Sequence, residues 1–289
     1  MNKKILKPVM WFLFLLLVVM TTLGLFGLYD VMHPPRKIPP GTTLTEANIP
    51  FQRLELQTED GISLIAWYTP PQNGIVILLA HGYGDNRPEW VYALLAKADF
   101  GVLAWDARAH GESGGDVSTL GYREVLDVKA ALDFALHQEG VVHVAGWGGS
   151  MGGATMIRAV AEYPQIEALV VDSAFSSLDA EVDFLAPYPL LNPLAKFFMA
   201  LGLGVDLDTV SPTVAIGKIS PRPLYIIHGL EDTVAPPESA QILFEAANEP
   251  KFLWLQEDAI HLGIHMQNPG RYQRRVIRFY EEWLGIQYP

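Results

Sequence analysis

The chain is 289 residues long and contains no cysteine, which rules out disulfides, thiolate metal sites and a cysteine nucleophile. Its 32 acidic against 20 basic residues give a formal charge of -12. That balance argues against nucleic acid as a partner and leaves neutral or cationic small molecules open. Half the residues are hydrophobic, and the mean hydropathy of +0.19 points to a concentrated apolar segment.

That segment is Val9 to Tyr29, VMWFLFLLLVVMTTLGLFGLY, uncharged and long enough to cross roughly 30 Å of hydrocarbon as a helix. A long signal peptide is the alternative, but the length of the run and the lack of an A-x-A-like site after it favour an uncleaved anchor over residues 1–30. Lys3, Lys4 and Lys7 precede the run, so the positive-inside rule puts the rest of the chain outside the cytoplasm, although Arg36 and Lys37 beyond it weaken that assignment. HPPRKIPPGTTLTE, His33 to Glu46, is proline-rich and reads as a semi-rigid stalk over 31–48, with a folded domain over 49–289.

FQRLELQT, Phe51 to Thr58, alternates apolar and polar residues and turns through EDG into ISLIAWYT, which predicts an antiparallel hairpin. Continuous aliphatic runs follow at Gly74–Ala80, Phe100–Asp106, Val141–Trp147, Ile166–Asp172 and Pro223–Gly229, with a shorter one at Phe252–Gln256. Such runs suit strands buried on both faces. Helical spacing lies between them at Glu89–Ala98, Tyr122–His137, Met151–Glu162 and Ser239–Ala247, and Arg271–Leu284 closes the chain. The alternation predicts an α/β domain, its mostly parallel sheet covered on both faces. Residues 174–220 break the rhythm with several prolines and read as a cap inserted over the carboxyl edge of the sheet.

The pattern G-x-S-x-G occurs twice, around Ser113 and around Ser150. Ser150 directly follows one buried strand and directly precedes a helix, as an exposed nucleophile requires, and Gly148 and Gly152 make room for the tight turn. Ser113 has no helix behind it and reads as part of a tight loop. A serine hydroxyl needs a base and a carboxylate to orient that base. The loop after the strand Pro223–Gly229 offers Asp232, with Glu231 adjacent; the loop after the last strand offers His261, with His265 close by and Gly263 to let the loop turn toward Ser150. Asp232 and His261 are preferred, because Ser150, Asp232 and His261 each follow a strand in one chain order. The N–H groups of Met151 and of Tyr83, in HGYGDNR after the third strand, are the expected oxyanion donors, and His81 reads as a packed structural side chain.

HGYGDN at His81–Asn86, WDARAHGESGG at Trp105–Gly115, GWGGSMGG at Gly146–Gly153, SPTVAIGKISPRPLYIIHGLEDTVAP at Ser211–Pro236 and His261 together resemble the α/β-hydrolase superfamily, over Phe51 to Leu284. They look most like the membrane-anchored branch of Bem46-like and serine aminopeptidase-like hydrolases, whose members are mostly esterases, thioesterases or peptidases. The resemblance implies an α/β-hydrolase fold with a small cap behind a transmembrane helix, and hydrolysis of a small-molecule ester or thioester through an acyl-enzyme, with neither metal nor cofactor. It also points to rivals: an aminopeptidase using Asp179, Glu181 or Asp183 for a substrate ammonium, or an idle, membrane-tethered binding protein. Trp147 and Gly149 stand where many relatives have a small aliphatic and a His or Tyr, which would enlarge the acyl pocket. Phe184, Leu185, Tyr188, Phe197, Phe198 and Met199 in the cap are the expected contacts for an apolar acyl chain, or else the cap's own core.

Overall fold

The computed structural model describes residues 3–185, 192–204 and 206–285. The apolar N-terminal run forms α1 (Lys3–Met32), followed by one short helix, α2 (Thr42–Glu46). Strands β1 (Gln52–Gln57) and β2 (Ser63–Thr69) pair as the predicted antiparallel hairpin. Then strands and helices alternate: β3 (Ile75–Ala80), α3 (Glu89–Ala96), β4 (Gly101–Trp105), α4 (Glu124–Leu136), β5 (His143–Gly149), α5 (Met151–Glu162) and β6 (Ile166–Asp172). After β6 come α6 (Leu178–Leu185), α7 (Asn192–Leu203) and α8 (Pro212–Ala215). The chain closes with β7 (Leu224–Gly229), α9 (Glu238–Ala246), β8 (Lys251–Gln256), α10 (Ile264–Gln267) and α11 (Pro269–Leu284).

The eight strands form one sheet in the order β1-β2-β4-β3-β5-β6-β7-β8, with β1/β2 and β2/β4 antiparallel and every later pair parallel. The aliphatic runs lack alternation because both faces are covered, and the strand period of two divides them between two cores. Along β3, Val76, Leu78 and Ala80 join Val128, Leu132, Ile157 and Leu243 of α4, α5 and α9. Ile75, Ile77 and Leu79 join Val91 and Tyr92 of α3 and Tyr272, Val276 and Phe279 of α11 on the other face. Each fully buried side chain of this size contributes about 1.5–3 kcal/mol. From β3 the order runs one way through β4 and the other through β5, so the chain leaves the carboxyl ends of β3 and β5 in opposite directions and opens a crevice there.

The proline-rich segment is no free spacer. Leu44 is fully buried with Trp67, Val91 and Tyr92. Glu89 accepts hydrogen bonds from Gly41 N–H at 2.7 Å and Thr43 N–H at 2.8 Å. Arg36 donates to the Ser113 and Gly115 carbonyls, and Ser118 N–H donates to Met32 O at 2.8 Å. An apolar residue at position 44 and unpaired main-chain acceptors in the 111–115 loop draw the segment onto the domain, which the proline content alone did not reveal.

Candidate active site

At the carboxyl end of β5 the chain reverses into α5 through Ser150, whose φ of 53° and ψ of -123° are rarely adopted by a non-glycine residue. Such strain costs of order 1–3 kcal/mol and persists only where the surroundings impose it. They do so here. A Cβ on Gly148 would lie 2.5 Å from Gly152 O, and one on Gly152 would lie 2.2 Å from Ala80 O, so only glycine lets strand, turn and helix approach this closely. Ser150 N–H donates to Asp172 O at 2.9 Å, and the residue is 8% exposed. Gly82 passes close over it: a Cβ there would meet Ser150 Cβ at 3.2 Å. The N–H groups of Tyr83 and Met151 have no hydrogen-bond acceptor among the described residues, and both residues line the cavity into which Ser150 faces.

His261 faces the same cavity from the loop after β8. Its Nδ1 lies 2.7 Å from Asp232 Oδ2, so with the carboxylate accepting, Nε2 is left as the basic nitrogen. Asp232 follows β7 and is buried; its Oδ1 accepts the N–H groups of Val234 at 2.8 Å and Ala235 at 2.9 Å, and His228 Nε2 stands 3.1 Å from Oδ2. Burial alone would raise the Asp232 carboxyl, but His228, His261 and the amides outweigh it and hold it below the usual carboxylate range. Ser150 Oγ and His261 share the cavity without a direct hydrogen bond, a contact that commonly tightens only once substrate binds.

The alternatives at each position are occupied elsewhere. Glu231 is exposed. His265 stacks on Trp90 with ring centroids 3.6 Å apart, and its Nδ1 donates to Leu262 O at 2.8 Å. Ser113, 2% exposed, donates to Asp106 O at 2.6 Å and accepts Ile65 N–H at 2.8 Å. His81 bridges Gly82 O at 2.7 Å and Ala107 N–H at 2.9 Å, and burial lowers its pKa.

Three details depart from expectation. The left-handed residue in the histidine loop is Leu262, φ 52°, rather than Gly263; Gly263 is needed because a Cβ there would meet Ile260 Cγ1 at 2.7 Å. The space beside Gly149 does not enlarge the pocket, because the Trp147 ring and Leu262 occupy it at 2.9 and 3.2 Å from a Cβ position. Of the six cap side chains, Leu185 and Met199 line the cavity, Phe184 and Phe197 are exposed outside it, and Phe198 packs against Gly24. Tyr188, with Pro187 and Pro189, lies outside the described residues.

The cavity holds about 620 Å³, within the roughly 300–1,000 Å³ usual for small-molecule sites. The cap helices α6 and α7 form one wall, and Leu23, Gly27, Leu28 and Val31 of α1 another. Glu181 of α6 is its one cap carboxylate; Oε2 is buried without a hydrogen-bond partner, and burial, reinforced by the charge of Asp232, pushes the group up to about 8. Asp179 and Asp183 instead pair with Lys196 at 2.7 and 2.9 Å. Among the described residues no three His, Asp or Glu side chains converge as a metal site.

Sequence reasoning missed the support behind the site. Tyr272 of α11 donates to Asp172 Oδ2 at 2.8 Å and accepts from Trp147 Nε1 at 3.1 Å, while Ser173 Oγ accepts Leu262 N–H at 3.1 Å. Burial pushes Asp172 up to about 6 against the hydrogen bond from Tyr272. The available signal was polarity inside aliphatic runs: Asp172 is the last residue of IEALVVD and His228 the last but one of LYIIHG, both in buried strands.

With this geometry, the chain matches the model of the family described as serine aminopeptidase, S33, over residues 71–216. The uncharacterized protein YfhR of Escherichia coli (strain K12) is 28% identical, over 79% of this chain and 80% of its own. Protein bem46 of Schizosaccharomyces pombe is 23% identical, over 82% and 81%. Among solved structures, the Pyrococcus furiosus esterase Pf2001 superposes with a TM-score of 0.75 at 27% identity, over 89% of this chain and 100% of that one. An eight-stranded, mostly parallel sheet with a strained serine at the turn from β5 into α5, joined to these matches, makes the chain a hydrolase of the α/β-hydrolase fold that belongs to the serine aminopeptidase S33 family.

Proposed function

We propose that the protein hydrolyses carboxylic esters or thioesters through an acyl-enzyme. The observation that carries this reading is convergence: Ser150, held at a strained turn, and His261, oriented by Asp232 at 2.7 Å, line one cavity. Ser150 Oγ attacks the carbonyl carbon as His261 Nε2 takes its proton, and Asp232 holds the imidazole and stabilises its charged form. The carbonyl oxygen, now an anion, is met by the N–H groups of Met151 and Tyr83, each such donor being worth about 3 kcal/mol in comparable sites. Collapse breaks the C–O or C–S bond, and His261 returns the proton to the leaving group. Water then repeats the sequence on the acyl-serine and releases the carboxylic acid.

The test is hydrolysis of p-nitrophenyl esters by the full chain beside Ser150→Ala, with fluorophosphonate labelling. Activity and labelling that both vanish with Ser150 are expected; a folded wild type that does neither would leave a binding protein.

The N-terminal helix, apolar over Lys7–Met32, serves in this reading as a single-pass anchor. Lys3, Lys4 and Lys7 at its start support a catalytic domain outside the cytoplasm. Protease protection in sealed vesicles checks that orientation.

One observation favours a second reading, an aminopeptidase: the unpartnered Glu181 carboxyl faces the cavity, where an ammonium could meet it. Against it, burial raises this carboxyl to about 8, so ionising it would draw on the binding energy of the ammonium. Aminoacyl-p-nitroanilides against acyl esters separate the two.

A further inference from the structure

The wall of the cavity opposite the sheet belongs to the helix that is apolar enough to cross a bilayer. Leu23, Gly27, Leu28 and Val31 line the same space as Ser150 and His261. The helix is locked there. A Cβ on Gly24 would lie 2.6 Å from the Phe198 ring of α7, and one on Gly202 of α7 would lie 2.8 Å from Leu28, so each helix seats a side chain of the other on a glycine. Tyr83 Oη donates to Asp30 O at 3.3 Å, which ties the same helix end to the oxyanion loop.

Counting about 20 residues for the hydrocarbon thickness from Val9 reaches Leu28. Leu23 and Gly27 then sit inside the hydrocarbon and Val31 in the headgroup layer, where the ester carbonyls of lipids lie. Phe197 and Leu201 of α7, 60% and 63% exposed, directly precede Phe198 and Gly202, the residues that meet α1. Left in water they would be a costly apolar patch; against acyl chains they are matched.

From this we propose that the substrate is an acyl ester resident in the bilayer, whose acyl chain enters between α1 and the cap and lies along α1 at Gly27. The proposal rests on the esterase reading and supplies its substrate class. The lipid carbonyl meets Ser150, the alcohol half leaves toward water with the proton from His261, and water releases the fatty acid. A glycine at position 27 matters because nothing lies within 4 Å of where its Cβ would be. The free volume there belongs to the cavity.

That open space sets the test, since Gly27→Phe starts from a Cβ that meets nothing and carries its ring at a residue lining the cavity. The full chain in phosphatidylcholine vesicles is assayed with 4-methylumbelliferyl acetate and palmitate. The palmitate-to-acetate ratio of kcat/KM is expected to fall about tenfold or more in Gly27→Phe and to hold in Phe26→Leu, a change on the exposed side of the same helix. A palmitoyl ester carrying a diazirine near its chain end is also photolysed with the Ser150→Ala protein, and label on residues 23–31 is expected. An unchanged ratio in Gly27→Phe, or label confined to segments other than α1, overturns the proposal. If the wild type cleaves neither ester and ignores a fluorophosphonate, the esterase reading fails by itself, and the crosslink alone then decides whether α1 lines a lipid site.

Discussion

Two stretches of this chain carry the same G-x-S-x-G pattern and put it to opposite uses. In the loop after β4, Ser113 is saturated by the main chain, donating to Asp106 O and accepting Ile65 N–H, so its hydroxyl fastens β2 to the loop. At the end of β5, Ser150 gives its amide to Asp172 O while its hydroxyl has no main-chain partner among the described residues and faces a cavity. The pattern is shared; the backbone around it is not. A serine becomes available for chemistry when a strand, a turn and a helix follow one another so tightly that no local group can satisfy the hydroxyl.

Substitutions should separate the two serines by orders of magnitude. Ser150→Ala is expected to lower ester kcat by about 10⁶-fold without loss of fold, measured by single-turnover kinetics beside thermal unfolding; residual activity near wild type would move the nucleophile elsewhere. Asp232→Asn should cost about 10⁴-fold in kcat, because the imidazole loses the partner that sets its tautomer. The turn itself can be broken: a methyl on Gly152 meets Ala80 O at 2.2 Å, so Gly152→Ala should cost about 3 kcal/mol in urea unfolding. Ser113→Ala should leave kcat/KM unchanged and cost about 1–2 kcal/mol of stability, because it orphans the buried Ile65 N–H.

A further test sharpens the contrast through pH. Glu181 faces the Ser150 cavity with its pKa raised by burial from 4.5 to about 8. Between those values the unfolded chain releases this proton while the folded chain keeps it, so the group's contribution to stability falls as pH rises through that window and levels off above it. Glu181→Gln should therefore leave Tm nearly unchanged at pH 4.5 and raise it by pH 8. A Tm difference independent of pH would mean that the carboxyl ionises normally.

Much of this was legible because it is repetitive. Aliphatic runs without alternation mark strands covered on both faces, and the helices between them follow from apolar spacing; α5 begins and ends where the sequence places it, at Met151 and Glu162. The pairing of Asp232 with His261 was readable because each follows a strand end. What stayed hidden depends on distant approach. Nothing local distinguishes Glu181 from Asp179 and Asp183 until Lys196 is seen to engage the other two. The prolines of 34–40 read as a spacer because the signals that contradict them are one leucine and the acceptors of a loop some 75 residues away. Likewise, an apolar helix by composition says only that it can cross a membrane; that Gly24 seats Phe198 of the cap while Gly27 opens on the cavity emerges from packing.

The strap formed by Arg36 and Leu44 has a further consequence. A flexible linker the length of residues 33–48 would let a domain wander about 20 Å from its anchor point. With α1 as the proposed anchor, these contacts would couple the domain to the helix and hold the mouth of its cavity near one height and tilt in a bilayer. Encounter with anything dissolved in the membrane then becomes a planar search set by lateral diffusion. Loosening the strap would leave the search planar but let the mouth of the cavity tilt and lift away from the surface.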